Sequence, residues 1–216
     1  MGINIEKYSA LITELNNKAT LVAVSKTKPA EDIQTLYDLG QRDFGENYVQ
    51  ELVDKQASLP KDIRWHFIGH LQSNKIKYIA PFIYLIHGVD SMNLLKEINK
   101  EGAKNNRVID CLLQIFIAKE ETKFGLNEDE LQEIIKEIPN FKNVKINGLM
   151  GMASNSDDLN LVGDEFYSLK SLYAKHPEFN NLSMGMSGDY QLAIEKGSNM
   201  VRIGSLLFGE RNYNKM

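Results

Sequence analysis

The chain has 216 residues, 43% of them hydrophobic and 25% charged, which suits one soluble folding unit with a sizeable core. Lysine and arginine total 25 against 29 acidic residues, and the net charge of −4 supplies no basic field for nucleic acid. A single cysteine, Cys111, excludes an intramolecular disulfide, and no stretch is long and apolar enough to span a bilayer.

The first residues, Met1 to Lys18, lack the basic start and apolar run of a secretion signal. Glu6 stands where a myristoylation motif needs serine or threonine. A cytoplasmic protein is expected. Ile5, Tyr8, Leu11, Ile12 and Leu15 recur at helical spacing, so the chain opens with an amphipathic helix. The apolar run Leu21-Val-Ala-Val-Ser-Lys-Thr-Lys28 then predicts a strand, stopped by Pro29. Pro29 suits the first turn of a helix that stops near Gly40, with Glu31 and Asp32 favourable at its positive end.

A short strand over Asp43–Asn47 and a helix over Val49–Leu59 follow, then a strand over Arg64–Gly69 and a helix over Ser73–Ile79. Next come strand Tyr84–Val89, helix Met92–Lys104 and the apolar run Val108–Ala118. The second half repeats the rhythm: helix Glu128–Ile138, strand Val144–Met150, helix Asp164–Lys175, strand Leu182–Met186, helix Tyr190–Lys196 and strand Met200–Ile203. Alternating strands and helices imply parallel pairing with right-handed crossovers. About eight such units in this length predict a single (β/α)8 TIM-type barrel over residues 1–216 with an extra N-terminal helix; an open doubly wound sheet is the alternative.

In a barrel the chemistry belongs at the C-terminal strand ends. Lys26 shares a strand face with Val22 and Val24, which places an amine at the end of a buried strand. Desolvation there would favour the free base, the form that attacks an aldehyde. The bland reading is a lysine that snorkels to water. Ser187-Gly188-Asp189 and Gly204-Ser205 follow the last two strands and have the composition of phosphate-binding turns, or simply of tight turns. Arg202 alternates with Val201 and Ile203, so it faces either the barrel interior or the helices.

Three other motifs lead nowhere. Gly185-Met-Ser-Gly-Asp189 resembles a nucleophile elbow, but Asp189 replaces the last glycine and no histidine follows. His66 and His70 have a zinc spacing only on a helix, and here they straddle a strand end. Cys111 lies in an apolar run and is expected to be inert core.

Five stretches taken together resemble the pyridoxal-phosphate homeostasis proteins, the PROSC or YggS type, relatives of the alanine racemase barrel. They are Leu21–Pro29, Phe44-Gly-Glu-Asn-Tyr-Val-Gln-Glu51, Trp65–Lys75, Ser183-Met-Gly-Met-Ser-Gly-Asp189, and Val201-Arg-Ile-Gly-Ser205 with Phe208-Gly209. The resemblance implies that Lys26 holds pyridoxal 5′-phosphate as an aldimine. It implies further that Ser187, Gly204 and Ser205 hold the phosphate, that Arg202 faces the pyridine nitrogen, and that Asn47 contacts the cofactor. Phe116, Ser205 and the segment Met150–Ser154 depart from many relatives.

A non-catalytic carrier serving vitamin B6 homeostasis or cofactor delivery is therefore expected, with no metal. Apo pyridoxal-phosphate enzymes are its expected recipients, and the chain is expected to be a monomer. The alternative is a racemase-like enzyme, which needs an acid/base on each face of the substrate. Family racemases take the second from a further C-terminal domain, and His66, His70 and the tyrosines carry no motif assigning them that place.

Overall fold

A computed structural model describes residues 3–119 and 124–209. Its strands are β1 (Thr20–Val24), β2 (Asp43–Glu46), β3 (Arg64–Phe67), β4 (Leu85–Val89), β5 (Ile109–Ile115), β6 (Val144–Gly151), β7 (Asn181–Met186) and β8 (Met200–Ile203). Every neighbouring pair is parallel, and β8 pairs with β1 to close the barrel. The open-sheet alternative is thereby excluded. Closure leaves no strand edge to be covered.

The helices are α1 (Ile5–Leu15), α2 (Ala30–Asp38), α3 (Val49–Ser58), α4 (Ile76–Ile79), α5 (Met92–Lys104), α6 (Glu128–Glu137), α7 (Leu159–Ala174), α8 (Tyr190–Glu195) and α9 (Ser205–Phe208). Their starts follow local chemistry. Ser91 caps α5, and Asn127 with Glu130 forms a reciprocal capping box on α6. α7 begins at Leu159, earlier than the expected Asp164, because the Asp158 carboxylate accepts from the backbone N–H groups of Asn160 and Leu161. The expected helix at Ser73 starts as a 3₁₀ turn and becomes α-helical only over α4. Leu206 and Phe208 belong to α9, which packs against α1.

The outward strand faces carry the main core. Phe44, Trp65, Phe67, Ile86 and Met184 meet Ile33, Leu36, Leu52, Ile98 and Phe166 from the helices, all buried. Cys111 is in this layer, and burial pushes its thiol far above the ordinary range, so it is inert. Inside the barrel is a small apolar layer of Val22, Leu85, Leu112, Met150 and Met200. The register Val22↔Arg202 puts Arg202 on the same inward side. Close strand approach constrains β6, where a Cβ at Gly148 would lie 1.8 Å from the Asn181 carbonyl oxygen.

Candidate functional site

A cavity of about 300 Å³ opens at the C-terminal ends of β1, β7 and β8. Lys26, Asn47, Ser187, Arg202, Gly204 and Ser205, the residues singled out from sequence, all line it. Val24, Lys28, Ile68, Met152, Met186, Gly188 and Gly209 complete the wall.

Lys26 lies two residues past β1 rather than in it, and is half-buried. The turn around it is clamped on both sides. Thr27 has a left-handed φ of 62°, and its N–H donates to Glu51 Oε1 at 2.6 Å. Ser25 donates from Oγ to Glu46 Oε1 at 2.6 Å, and its carbonyl accepts from Lys55 Nζ at 2.8 Å. Lys55 Nζ also meets Glu46 Oε1 at 2.8 Å and Glu51 Oε1 at 2.6 Å. A buried ion cluster therefore sets the backbone that carries Lys26, at the cost of a strained residue. Burial raises the pKa of Glu46 against the pull of Lys55.

Arg202 is 4% exposed and forms part of the cavity floor. Its Nη1 donates to the Ser183 carbonyl at 2.9 Å and to Ser183 Oγ at 2.7 Å, and Nη2 donates to the Gly151 carbonyl at 3.1 Å. Burial lowers its pKa to about 10, partly offset by Asp189, so it stays a cation at neutral pH. These bonds use three of the five N–H groups of a guanidinium and leave donors over.

Beside it the two turns come together. The Gly204 N–H donates to Ser187 Oγ at 3.2 Å, which leaves the Ser187 proton for an acceptor in the cavity. Asp189 stands where an elbow motif would have glycine because its carboxylate accepts from the Met186 N–H at 2.6 Å and ties the turn shut. A Cβ at Gly188 would meet nothing within 4 Å, and its φ is not left-handed, so turn geometry does not demand glycine there. Asn47 Oδ1 is buried in the wall without a hydrogen-bond partner. Gly69 fixes that loop, since a Cβ on it would lie 2.7 Å from the Asn47 carbonyl oxygen.

His66 and His70 do not come together: His66 is wholly buried in the barrel, whereas His70 is exposed and pairs with Asp90 at 3.3 Å. Among the described residues no group of three His, Cys, Asp or Glu side chains could hold a metal ion. Nor is any helix there long and apolar enough to cross a membrane. Sequence reasoning missed the Lys55 clamp. Its one local trace is the i,i+4 spacing of Glu51 and Lys55, which reads equally as a surface pair. It also missed Lys28, whose ammonium donates to the Phe208 carbonyl at 2.9 Å and ties the mouth of β1 to α9.

A parallel barrel with a lysine after β1 and paired glycine–serine turns after β7 and β8 defines a class. Residues 3–212 match the family model of the alanine racemase N-terminal domain, and the chain belongs to that family. Within it, the chain is 43% identical over 203 residues to the pyridoxal phosphate homeostasis protein of Aquifex aeolicus, covering 91% of this chain and 89% of that protein. It is 36% identical over 221 residues to the one from Escherichia coli, covering 97% and 94%. The structure of PipY from Synechococcus elongatus, solved with PLP bound, superposes with a TM-score of 0.87 at 34% identity, covering 94% of this chain and 99% of that one. The chain belongs to the pyridoxal phosphate homeostasis protein family.

Proposed function

We propose that this chain binds pyridoxal 5′-phosphate in the cavity above Arg202 and holds it for intracellular vitamin B6 homeostasis or delivery, without turning over a substrate. The observation that carries the reading is one wall combining a half-buried amine, a buried guanidinium with spare donors and a turn hydroxyl with a spare proton. The cofactor, when bound, supplies an aldehyde, a ring nitrogen and a phosphate. Asn47, whose buried Oδ1 lacks a partner, fits a polar ligand there, as does the open space at Gly188.

Each residue then has a task. Lys26 is the amine that would hold the aldehyde end of the cofactor, kept in place by the clamp on Ser25 and Thr27. Ser187 and Ser205 would hold the phosphate, with Gly204 shaping the turn and orienting the Ser187 hydroxyl through its own N–H. Arg202, whose bonds to Ser183 and Gly151 leave donors over, would hold the ring nitrogen. A guanidinium does not readily share its proton, so the ring gains little power to draw electrons. His66, one candidate for a second base, has both ring nitrogens engaged inside the barrel. These features favour a carrier over a racemase. The protein acts as a monomer and hands its cofactor to apo pyridoxal-phosphate enzymes.

Borohydride reduction of the loaded protein followed by peptide mass mapping tests this reading. A pyridoxyl adduct on Lys26, absent from Lys26→Ala, is expected. Incubation with L-alanine in deuterated water should give no α-deuteration above a free-cofactor control. An adduct on another lysine, or turnover that vanishes in Lys26→Ala, would overturn it.

A further inference from the structure

Below Arg202 the barrel interior carries polar side chains where branched apolar ones usually fill it. A continuous run of hydrogen bonds starts at the guanidinium and ends at the opposite mouth. Arg202 Nη1 meets Ser183 Oγ at 2.7 Å, and Ser183 Oγ meets His87 Nδ1 at 3.1 Å. His87 Nε2 meets His66 Nδ1 at 2.8 Å, and His66 Nε2 meets Asp43 Oδ1 at 3.0 Å. Asp43 is held in turn by Arg64, whose Nε donates to Oδ1 at 2.8 Å. Ser183, His87 and His66 are wholly buried, and Asp43 nearly so.

Only one arrangement of protons satisfies every member. An arginine can only donate, so the Ser183 oxygen accepts from Arg202 and its single proton goes to His87 Nδ1. His87 then carries its proton on Nε2 and donates to His66 Nδ1. His66 carries its own on Nε2 and donates to the Asp43 carboxylate, which can only accept. The reverse direction needs an imidazolium at His66 in a wholly buried place and leaves the Ser183 proton without one of these acceptors. Burial lowers the pKa of both histidines, that of His87 well below the ordinary value, which agrees with two neutral rings. The Asp43 carboxylate, held low by His66 and Arg64 against its burial, supplies the anionic terminus.

We infer that Ser183, His87 and His66 are positioning residues for Arg202, forming with Asp43 a one-way hydrogen-bond chain through the barrel that aims the guanidinium at the cavity. Their bearing on the cofactor rests on Arg202 meeting the ring nitrogen, as proposed above. The chain also explains why two titratable rings sit where apolar side chains would pack: an isolated guanidinium on two carbonyls is free to tilt, whereas a terminated chain has a single orientation.

Nitrogen-15 NMR of histidine-labelled protein without cofactor reads the proton positions directly. Both rings are expected to be neutral and protonated on Nε2, unchanged between about pH 6 and 8. A proton on His87 Nδ1, or an imidazolium at His66 in that range, reverses the chain and overturns the inference. Ser183→Ala should weaken pyridoxal phosphate binding about tenfold or more and shift the pH profile of the bound cofactor's visible band. Ser183→Thr, which keeps the hydroxyl, should restore both. Unchanged binding and band in Ser183→Ala would likewise overturn it. Absence of any visible band in the native protein would instead strike at cofactor binding, while the NMR result would still decide the direction of the chain.

Discussion

Lys55→Met removes one ammonium from beneath the turn that carries Lys26. Methionine has a similar length and flexibility, so little cavity is left and the loss is electrostatic. Glu46 is wholly buried and Lys55 nearly so, which makes theirs a buried pair, and removing one partner of such a pair costs about 3–5 kcal/mol. The bond to Glu51, which is partly exposed, adds at most about 1 kcal/mol. Glu46 is already raised by burial with the ammonium present, and without it the carboxyl rises further. A folded pKa above the unfolded one means the native state binds more protons between the two. Stability is then full below the unfolded value and falls as pH rises through the folded one. The deficit of the variant should accordingly be smaller at about pH 5 than at about pH 8. Urea titrations at both pH values measure it. A deficit below about 1 kcal/mol at the higher pH, or one independent of pH, would refute the reasoning. The double variant Glu46→Leu/Lys55→Met should recover only part of the loss: no buried charge is then stranded, but the buried Ser25 hydroxyl and carbonyl both lose their partners.

Two further outcomes test the site and the frame. Ser187→Ala should weaken pyridoxal phosphate about ten- to hundredfold in equilibrium dialysis while hardly changing the affinity for unphosphorylated pyridoxal, since one hydrogen bond to a charged group is lost; equal losses for both ligands would assign the turn a purely structural role. Gly148→Ala must push β6 from β7, because its Cβ would overlap the Asn181 carbonyl, and should lower stability by about 3 kcal/mol or more in thermal melts; a melting temperature within a degree or two of the parent's would show that the strands part easily.

What the sequence disclosed about this fold is what local chemistry decides. α5 and β8 have the expected bounds because Ser91 caps the one and glycine and serine end the other. Lys26, Arg202 and the glycine–serine turns were legible for the same reason, each being odd against its own neighbours. Whether Arg202 faces in or out was not, because periodicity along one short strand gives two faces and only barrel closure names the inner one. The Lys55 clamp and the His66–His87–Ser183 run were hidden for a related reason. Their members lie on different strands and helices, and their chemistry exists only once β2, β3, β4 and β7 face each other across the interior.

The cavity lies across the seam where β8 meets β1, and the Lys28–Phe208 bond that ties its rim joins residues 180 positions apart. During synthesis at about 5–20 residues per second, the lysine emerges many seconds before the turns and the arginine that complete its pocket. A nascent chain therefore carries Lys26 with no cavity around it, and on the proposed reading the pocket for the cofactor takes shape only after the last strand docks. Occupancy then feeds back on the architecture. A ligand bridging both sides of the junction stabilises the closed form by about 2.7 kcal/mol at a hundredfold excess over its dissociation constant. On the proposed function, vitamin supply thus governs how long each finished molecule survives proteolysis.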